Sequence, residues 1–288
     1  MAITYDTGLG EYLNYGTASA NTNAGRVTGG ELRANPNHIW RPSIQGKHAS
    51  GRGIWNGGGT ATIEVADATL IGYGLRASMT SPGLTALYFE GGMVDTGGNI
   101  QGWTQSGCAI DSVEVSIAVG DPLTATITWL ASDQADNEAP SSTSPSATHF
   151  EWFEGACTFD ALTYALQSMT FTVNNNLEPI SSVEAKGANT LVLPEDFKIG
   201  KETVTMSADM LVFPGTTHWN LHEDIAVTGL GAVISAVSGG HTITCTLANV
   251  AGTAVRMPFA ADDGSVLFHF EGEGEPNNTT TVAFTYDA

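Results

Sequence analysis

One stretch constrains this chain more than any other: "DSVEVSIAVGDPLTATITWLASD", residues 111–133. Val113, Val115, Ile117 and Val119 alternate with small or polar residues, and Leu123, Ala125, Ile127 and Trp129 alternate with Thr124, Thr126 and Thr128. Side chains at period two fall on opposite faces of a strand, whereas a helix would scatter them around its axis. Gly120-Asp121-Pro122 between the arms supplies turn chemistry. The stretch therefore predicts an antiparallel hairpin with an apolar face and an opposite face of threonines and Glu114.

The same period recurs along the chain. Ala61, Ile63 and Val65 alternate in "TATIEVA", and Val204, Met206, Ala208 and Met210 in "TVTMSADM". Ile243, Cys245 and Leu247 alternate in "HTITCTL", with Val266, Phe268, Phe270 and then Val282, Phe284, Tyr286 near the end. Two helices are expected: residues 66–78, with Asp67 as cap and Leu70, Ile71 and Leu75 on one face, and a short one at 160–166. Residues 134–148, "QADNEAPSSTSPSAT", are Ser/Pro-rich and nearly free of apolar side chains, so they predict a linker or long loop. That divides the chain into domains at 1–133 and 149–288.

The two parts echo one another. "GGELRANPNHIWRPSIQGK" precedes the alternating strand at 60–65, and "SMTFTVNNNLEPISSVEAKG" precedes the one at 203–210. In each, a strand enters an Asn-rich segment with a nearby Pro, then a Thr-rich strand follows, the mark of a weak internal repeat. Asn174, Asn175 and Asn176 interrupt the strand carrying Met169, Phe171 and Val173. Asn tolerates left-handed backbone and bonds its own main chain, so this is a bend, and Pro179 then removes a donor from an edge.

Composition limits the partners. Thirty acids against ten bases give a net charge of −20 over 288 residues. Tight binding to phosphates needs Lys and Arg, so a nucleic-acid-binding role is disfavoured. Solubility or a high-salt environment both account for the acid excess. "MAITYDTGLGEYLNYG" has neither a basic n-region nor an apolar core, and no apolar run is long enough to span a bilayer. The expectation is an unprocessed cytoplasmic product with no membrane insertion. Cys108, Cys157 and Cys245 are odd in number and widely spaced, which fits neither a disulfide framework nor a zinc site.

Candidate chemistry is sparse. Asp-Thr-Gly occurs at 6–8 and 95–97, the sequence of an aspartic protease dyad, but the tripeptide is also a common turn and Asp6 precedes any supporting strand. His218 and His222 in "HWNLHED" would share a helical face and hold a metal, yet the preceding Pro-Gly argues for a loop. Asp262-Asp263 lacks the spaced oxygens of a calcium loop, and Asn277 and Asn278 are glycosylation sequons only where such machinery acts. No cofactor, catalytic set or metal site is predicted, which points to a binding or structural role.

In their order along the chain, several of these segments resemble the tail tube (major tail) proteins of long-tailed viruses of the duplicated-domain type. They are "GCAIDSVEVSIAVGDPLTATITWLASD", "SMTFTVNNNLEPISSV", "IGKETVTMSADMLVF", the long segment from "GGELRANPNHIW" to "ATLIGYGL", and "TITCTLANVAGTAVRMPF". The resemblance implies a mainly β fold of two β-sandwich or half-barrel domains, each with a short flanking helix and a long hairpin. It implies self-assembly into stacked rings, hexameric or trimeric and pseudo-hexameric, in a virion tail built in the host cytoplasm. Double-stranded DNA would pass through the lumen without specific binding, alongside a tape-measure protein, with tail terminator and baseplate proteins at the ends. It places Asn174, Asn175, Asn176, Glu178, Pro179, Asn35 and Asn37 at subunit contacts, Thr124, Thr126, Thr128 and Glu114 toward the lumen, and no catalytic residue anywhere. The scarcity of lysine suggests a haloarchaeal host. The competing readings are a β-sandwich carbohydrate-binding or adhesin module, and another virion component such as a decoration or baseplate protein.

Overall fold

The structure, a computed structural model, describes residues 12–35, 38–43, 46–52, 54–66, 69–75, 83–94, 100–137, 155–159, 162–181, 193–212, 230–238, 241–256, 266–274 and 283–286. In chain order the elements are β1 (Tyr12–Gly16), β2 (Thr22–Asn23), β3 (Gly25–Asn35), β4 (His38–Ser43), β5 (Gly46–Arg52), β6 (Asn56–Val65), α1 (Thr69–Tyr73), β7 (Leu87–Val94), β8 (Ile100–Ala118), β9 (Thr124–Ala131) and β10 (Asp133–Asn137). They continue as β11 (Gly155–Phe159), β12 (Leu162–Asn174), β13 (Leu177–Ile180), β14 (Asp196–Ile199), β15 (Thr203–Val212), β16 (Leu230–Ser238), β17 (His241–Arg256), β18 (Val266–Gly274) and β19 (Ala283–Tyr286). The chain is mainly β with antiparallel pairing, as the alternation predicts.

The hairpin at 111–133 forms, with Val113 opposite Ile127 and Val115 opposite Ala125. All the named inward residues are buried except Val119, which is 47% exposed. The strand has ended at Ala118 by then, and Gly120 takes φ +94 in the turn. Of the helix expected over 66–78, the described residues form α1 at Thr69–Tyr73 and a turn at Gly74; Leu70 and Ile71 are buried as predicted, and Asp67 lies outside the described residues. The helix expected at 160–166 is not there. Residues 162–166 begin β12, with Tyr164 opposite Cys157 and Leu166 opposite Met210. Thr163 and Tyr164 favour a pleated surface, and strand partners overrode a seven-residue helical pattern. Residues 134–137 of the segment expected as linker belong to β10, and the remainder lies outside the described residues.

One sheet organises the molecule. β3, β6, β9, β8, β12, β15, β18 and β17 follow one another by antiparallel pairing, and β8 joins β12. Behind it, β1 and β7 continue onto the first part of β8, and β16 and β11 continue onto the first part of β17. β11 also pairs β12, so β12, β15, β18, β17, β16 and β11 close on themselves. β8 crosses between layers at Gly107, where φ is +58 and the carbonyl accepts from the Ser132 hydroxyl. The core lies between the layers. Phe89 of β7 stacks on Trp129 of β9 at 4.5 Å, and both are buried.

The pairing pattern occurs twice, down to its irregularities. β3 against β6 skips Thr28 and ends at Asn35 opposite Asn56; β12 against β15 skips Gln167 and ends at Asn174 opposite Thr203. β8 against β9 skips Asp111, and β17 against β18 skips Thr253. The shift from Cys108 to Gln105 against β7 recurs from Val250 to Leu247 against β16. A two-stranded hairpin stands off the sheet at the same point each time: β4–β5 between β3 and β6, and β13–β14 between β12 and β15. A bulge fixes local register and bend, so coincident bulges report the same local geometry.

Candidate functional site

Directly opposed residues share a face of a sheet. Crossing the eight strands, one row reads Val27, Ile63, Ala125, Val115, Phe171, Met206, Gly272 and Gly252. From Ile63 to Met206 it is buried. The neighbouring row on the opposite face reads Gly29, Thr62, Thr126, Glu114, Thr172, Thr205 and Glu273. Another polar row reads Arg26, Glu64, Thr124, Ser116, Thr170, Ser207 and Glu271. A single sheet thus carries a core face and a continuous hydroxyl-and-carboxylate face.

The polar face is cross-linked from strand to strand. The hydroxyls of Thr62 and Thr126 lie 3.0 Å apart, those of Thr60 and Thr128 3.2 Å, and those of Ser116 and Thr170 3.3 Å. Arg26 meets Glu64 at 3.4 Å and Arg33 meets Glu31 at 3.3 Å. Farther along, His269 bonds Asp209 through Nδ1 at 2.6 Å and Glu271 through Nε2 at 3.1 Å, while the Ser168 hydroxyl donates to Asp209 at 2.7 Å. The Asp209 bond, then the Glu271 bond, hold the His269 pKa above its ordinary value. Partial burial pushes the Asp209 carboxyl up, but the bonds from His269 and Ser168 and the imidazolium charge outweigh it and leave its pKa lowered. Among residues whose side chains are described, Glu31, Glu64, Glu114, Asp209, Glu271 and Glu273 stand on this face against Arg26, Arg33 and His269; Arg256 lies in the same register, opposite His269.

The asparagine segment is a turn tied into three elements. Asn176 has φ 52, and its N–H bonds Asn174 Oδ1 at 2.9 Å. Asn175 is fully buried; its side-chain amide donates to Gly74 O at 2.8 Å and Ile110 O at 3.1 Å. The Asn176 amide reaches Lys201 O at 2.6 Å, and Leu177 N–H bonds Asp111 Oδ1 at 2.7 Å. β13–β14 leaves the sheet from here, with Glu178 paired to Lys198 at 3.2 Å and Ile180 exposed.

A family model described as phage tail tube protein matches residues 8–286. The chain belongs to the phage tail tube protein family. No curated protein matches it. This tail tube protein is accordingly a structural component of the virion tail.

In the tail tube protein, the residues of the 111–133 stretch come together as one hairpin, and Thr124, Thr126, Thr128 and Glu114 all lie on the polar face. Of the residues expected at contacts, Asn175 is buried within its own chain, Asn174 and Pro179 are half-buried, and Asn176 and Glu178 are exposed. Asn35 ends β3 opposite Asn56. Asn37, His218, His222, both Asp-Thr-Gly tripeptides, Asp262, Asp263, Asn277 and Asn278 lie outside the described residues. Cys108 is buried, with its thiol pushed up to about 12 by desolvation. Among the described residues no cluster of His, Cys, Asp or Glu could hold a metal. The described tryptophan side chains, Trp55, Trp103 and Trp129, are buried or half-buried in the core. They form no exposed sugar-stacking platform.

Sequence reading missed the spread of the polar face onto β6, β15 and β18. The signal was present in Thr60, Thr62, Thr203 and Thr205, each alternating with an inward residue. It also missed the Asp209–His269–Glu271 cluster, whose members meet only through β15–β18 pairing.

Proposed function

We propose that the protein polymerises into rings that stack into a tail tube, with the polar face of the eight-stranded sheet lining the channel for the viral genome. The observation that carries this reading is one sheet with a buried apolar face, an open acidic face and, among the described residues, one unpaired side on β3 at one end and on residues 251–256 of β17 at the other. A strand edge left open invites another chain, and closing a ring removes the hazard. The recurrent pairing pattern supports two tube-like units within 1–133 and 149–288, so that three copies form a pseudo-hexameric ring.

Dimensions favour three copies. Eight strands at about 4.8 Å spacing and about 40° tilt span roughly 50 Å of barrel wall. Three copies then give a wall roughly 48 Å across, and subtracting about 5 Å of side chain on each side leaves about 38 Å, ample for duplex DNA of about 20 Å. Two copies leave about 22 Å, with no space for hydration. An acidic, hydroxyl-rich wall repels phosphates, so DNA slides without sticking. Tape-measure, terminator and baseplate proteins are the partners this role requires. Assembly belongs in the host cytoplasm, and the scarcity of lysine fits a haloarchaeal host.

Negative-stain electron microscopy of the concentrated protein tests the reading. Stacked rings with an open lumen are expected. A monomer that persists at high concentration and high salt overturns it.

A further inference from the structure

Within the chain, one junction displays how the edge of one pairing unit meets the next. β12 lies along β8 with Asn174 opposite Ser112, Val173 opposite Val113 and Thr172 opposite Glu114. The skipped residues identify the counterparts of these two strands. Thr28 precedes Asn35 in β3 by seven positions, as Gln167 precedes Asn174 in β12. Asp111 of β8 corresponds in the same way to Thr253 of β17. Counting from these marks, Asn35, Ala34 and Arg33 stand where β12 has Asn174, Val173 and Thr172. Ala254, Val255 and Arg256 stand where β8 has Ser112, Val113 and Glu114.

Both counterparts are open. Among the described residues β3 pairs only β6, and β17 from Ala251 to Arg256 pairs only β18. The β3 edge is also incomplete in its packing. Phe171 in β12 is fully buried, whereas Leu32 at the corresponding place in β3 is 37% exposed. Gly30 stands where β12 has the buried Met169. Gly30 and Leu32 line a cleft of about 380 Å³ between the layers that reaches Trp103 and Trp129.

We infer that β3 of one copy adds antiparallel to the 251–256 edge of β17 in a second copy, with Asn35 opposite Ala254, Ala34 opposite Val255 and Arg33 opposite Arg256. This rests on the tube reading and goes past it by fixing which strands meet and in which register. The partner strand covers the Leu32 side of the cleft. A slip of one residue would exchange core and polar faces, so the register is specified by burial. Acids stand close in register to both arginine positions. Glu31 already pairs with Arg33, and Glu271 sits on β18 opposite Ala254, one diagonal step from Arg256.

Cysteine pairs test the seam. Opposed positions on antiparallel strands have the spacing a disulfide needs. The doubly substituted chain Asn35→Cys with Ala254→Cys is expected to give covalent multimers on mild oxidation, while neither single variant does. Asn35→Cys with Arg256→Cys, two positions out of register, should link at least about tenfold more slowly. Tubes or rings that form without the first cross-link, or that link both pairs equally, overturn the seam and leave the tube reading standing. Absence of any assembly by the wild-type chain overturns both.

A measurement on the wild-type chain decides the matter if the variants fail to assemble. Amide exchange at 29–35 and 251–256 should slow at least about tenfold on assembly, while β12, already paired on both sides, stays unchanged. Unaltered exchange at both edges in assembled tubes overturns the seam.

Discussion

The Trp129 indole N–H donates to Gln105 Oε1 across 2.6 Å in the buried interior, at the level where β8 passes from one layer to the other. The Gln105 amide in turn donates to Gly58 O at 3.2 Å and to Gln134 Oε1 at 3.0 Å. Gly58 has φ +149, and a Cβ there would strike the Trp129 carbonyl; a Cβ on Gly59 would strike the Trp129 ring, and one on Gly57 the ring of Trp55. A buried polar bridge of this kind stakes much on being satisfied.

Replacing Gln105 with Leu keeps the bulk but strands the indole N–H and the Gly58 carbonyl. Stability should fall by about 2 kcal/mol, within the range for a buried group left without its partner. The shift of the urea midpoint at unchanged slope measures it. An unchanged midpoint means that the bridge contributes nothing.

Asn175→Ala removes the donor to two carbonyls, Gly74 O and Ile110 O, and loosens the turn after α1 from the middle of β8. A loss of about 2–3 kcal/mol is expected. At the neighbouring position the backbone decides. Asn176→Gly should cost under about 1 kcal/mol, because glycine accepts φ 52 freely, whereas Asn176→Val should cost distinctly more. Equal melting temperatures for the Gly and Val variants would contradict the left-handed turn.

His269 gives the polar face a pH dependence of definite sign. Its folded pKa is raised, so its contribution is complete at pH below the ordinary histidine value and is lost as pH rises through the folded value. Asp209 is lowered, so its contribution is present at neutral pH and is lost only as acid takes the carboxylate through its folded pKa. The wild-type chain should therefore be favoured over His269→Gln at pH below the ordinary histidine value and lose that advantage as pH rises through the raised folded value. Melting curves of both proteins across this window measure the difference; parallel curves would show that the imidazole is uncoupled.

Charge on the polar face should control friction with DNA. A chain with Glu114→Lys and Glu273→Lys adds two cations to a single row, on strands exposed at those positions. Its tubes should retain duplex DNA at low salt and release it as salt rises, since phosphate contacts exchange for counterions. Wild-type tubes should retain none at any salt. DNA retention by both alike would remove the acidic face from the channel wall.

Local pattern was legible in the sequence, and long-range partnership was not. Val113 to Ile117 and Ala125 to Trp129 could be placed on strands because the period is intrinsic to the chain, and the turn at Gly120-Asp121-Pro122 was legible from residue chemistry; Val119 was misplaced because β8 ends at Ala118. The segment at 160–166 was misread because seven residues cannot separate a helical stripe from a strand. Its partners, Cys157 and Met210, settle the matter, and Met210 lies more than forty residues away. The asparagine bend was legible from residue chemistry. The burial of Asn175 was not, because its acceptor at Gly74 lies in the turn after α1, 101 residues earlier. The polar face was visible only as isolated threonines until pairing set them in rows.

Joining β8 to β12 within one polypeptide makes the two kinds of junction unequal. The tethered one forms at the high effective concentration of a single chain, whatever the protein concentration. It can therefore be packed as heavily as Phe171 and Met169 allow, because it never has to find a partner. At the proposed seam the other junction would form between separate molecules, with the lighter packing of Gly30 and Leu32. Errors in the proposed ring growth would then fall on that weaker junction, where a misplaced molecule could leave before the circle closes.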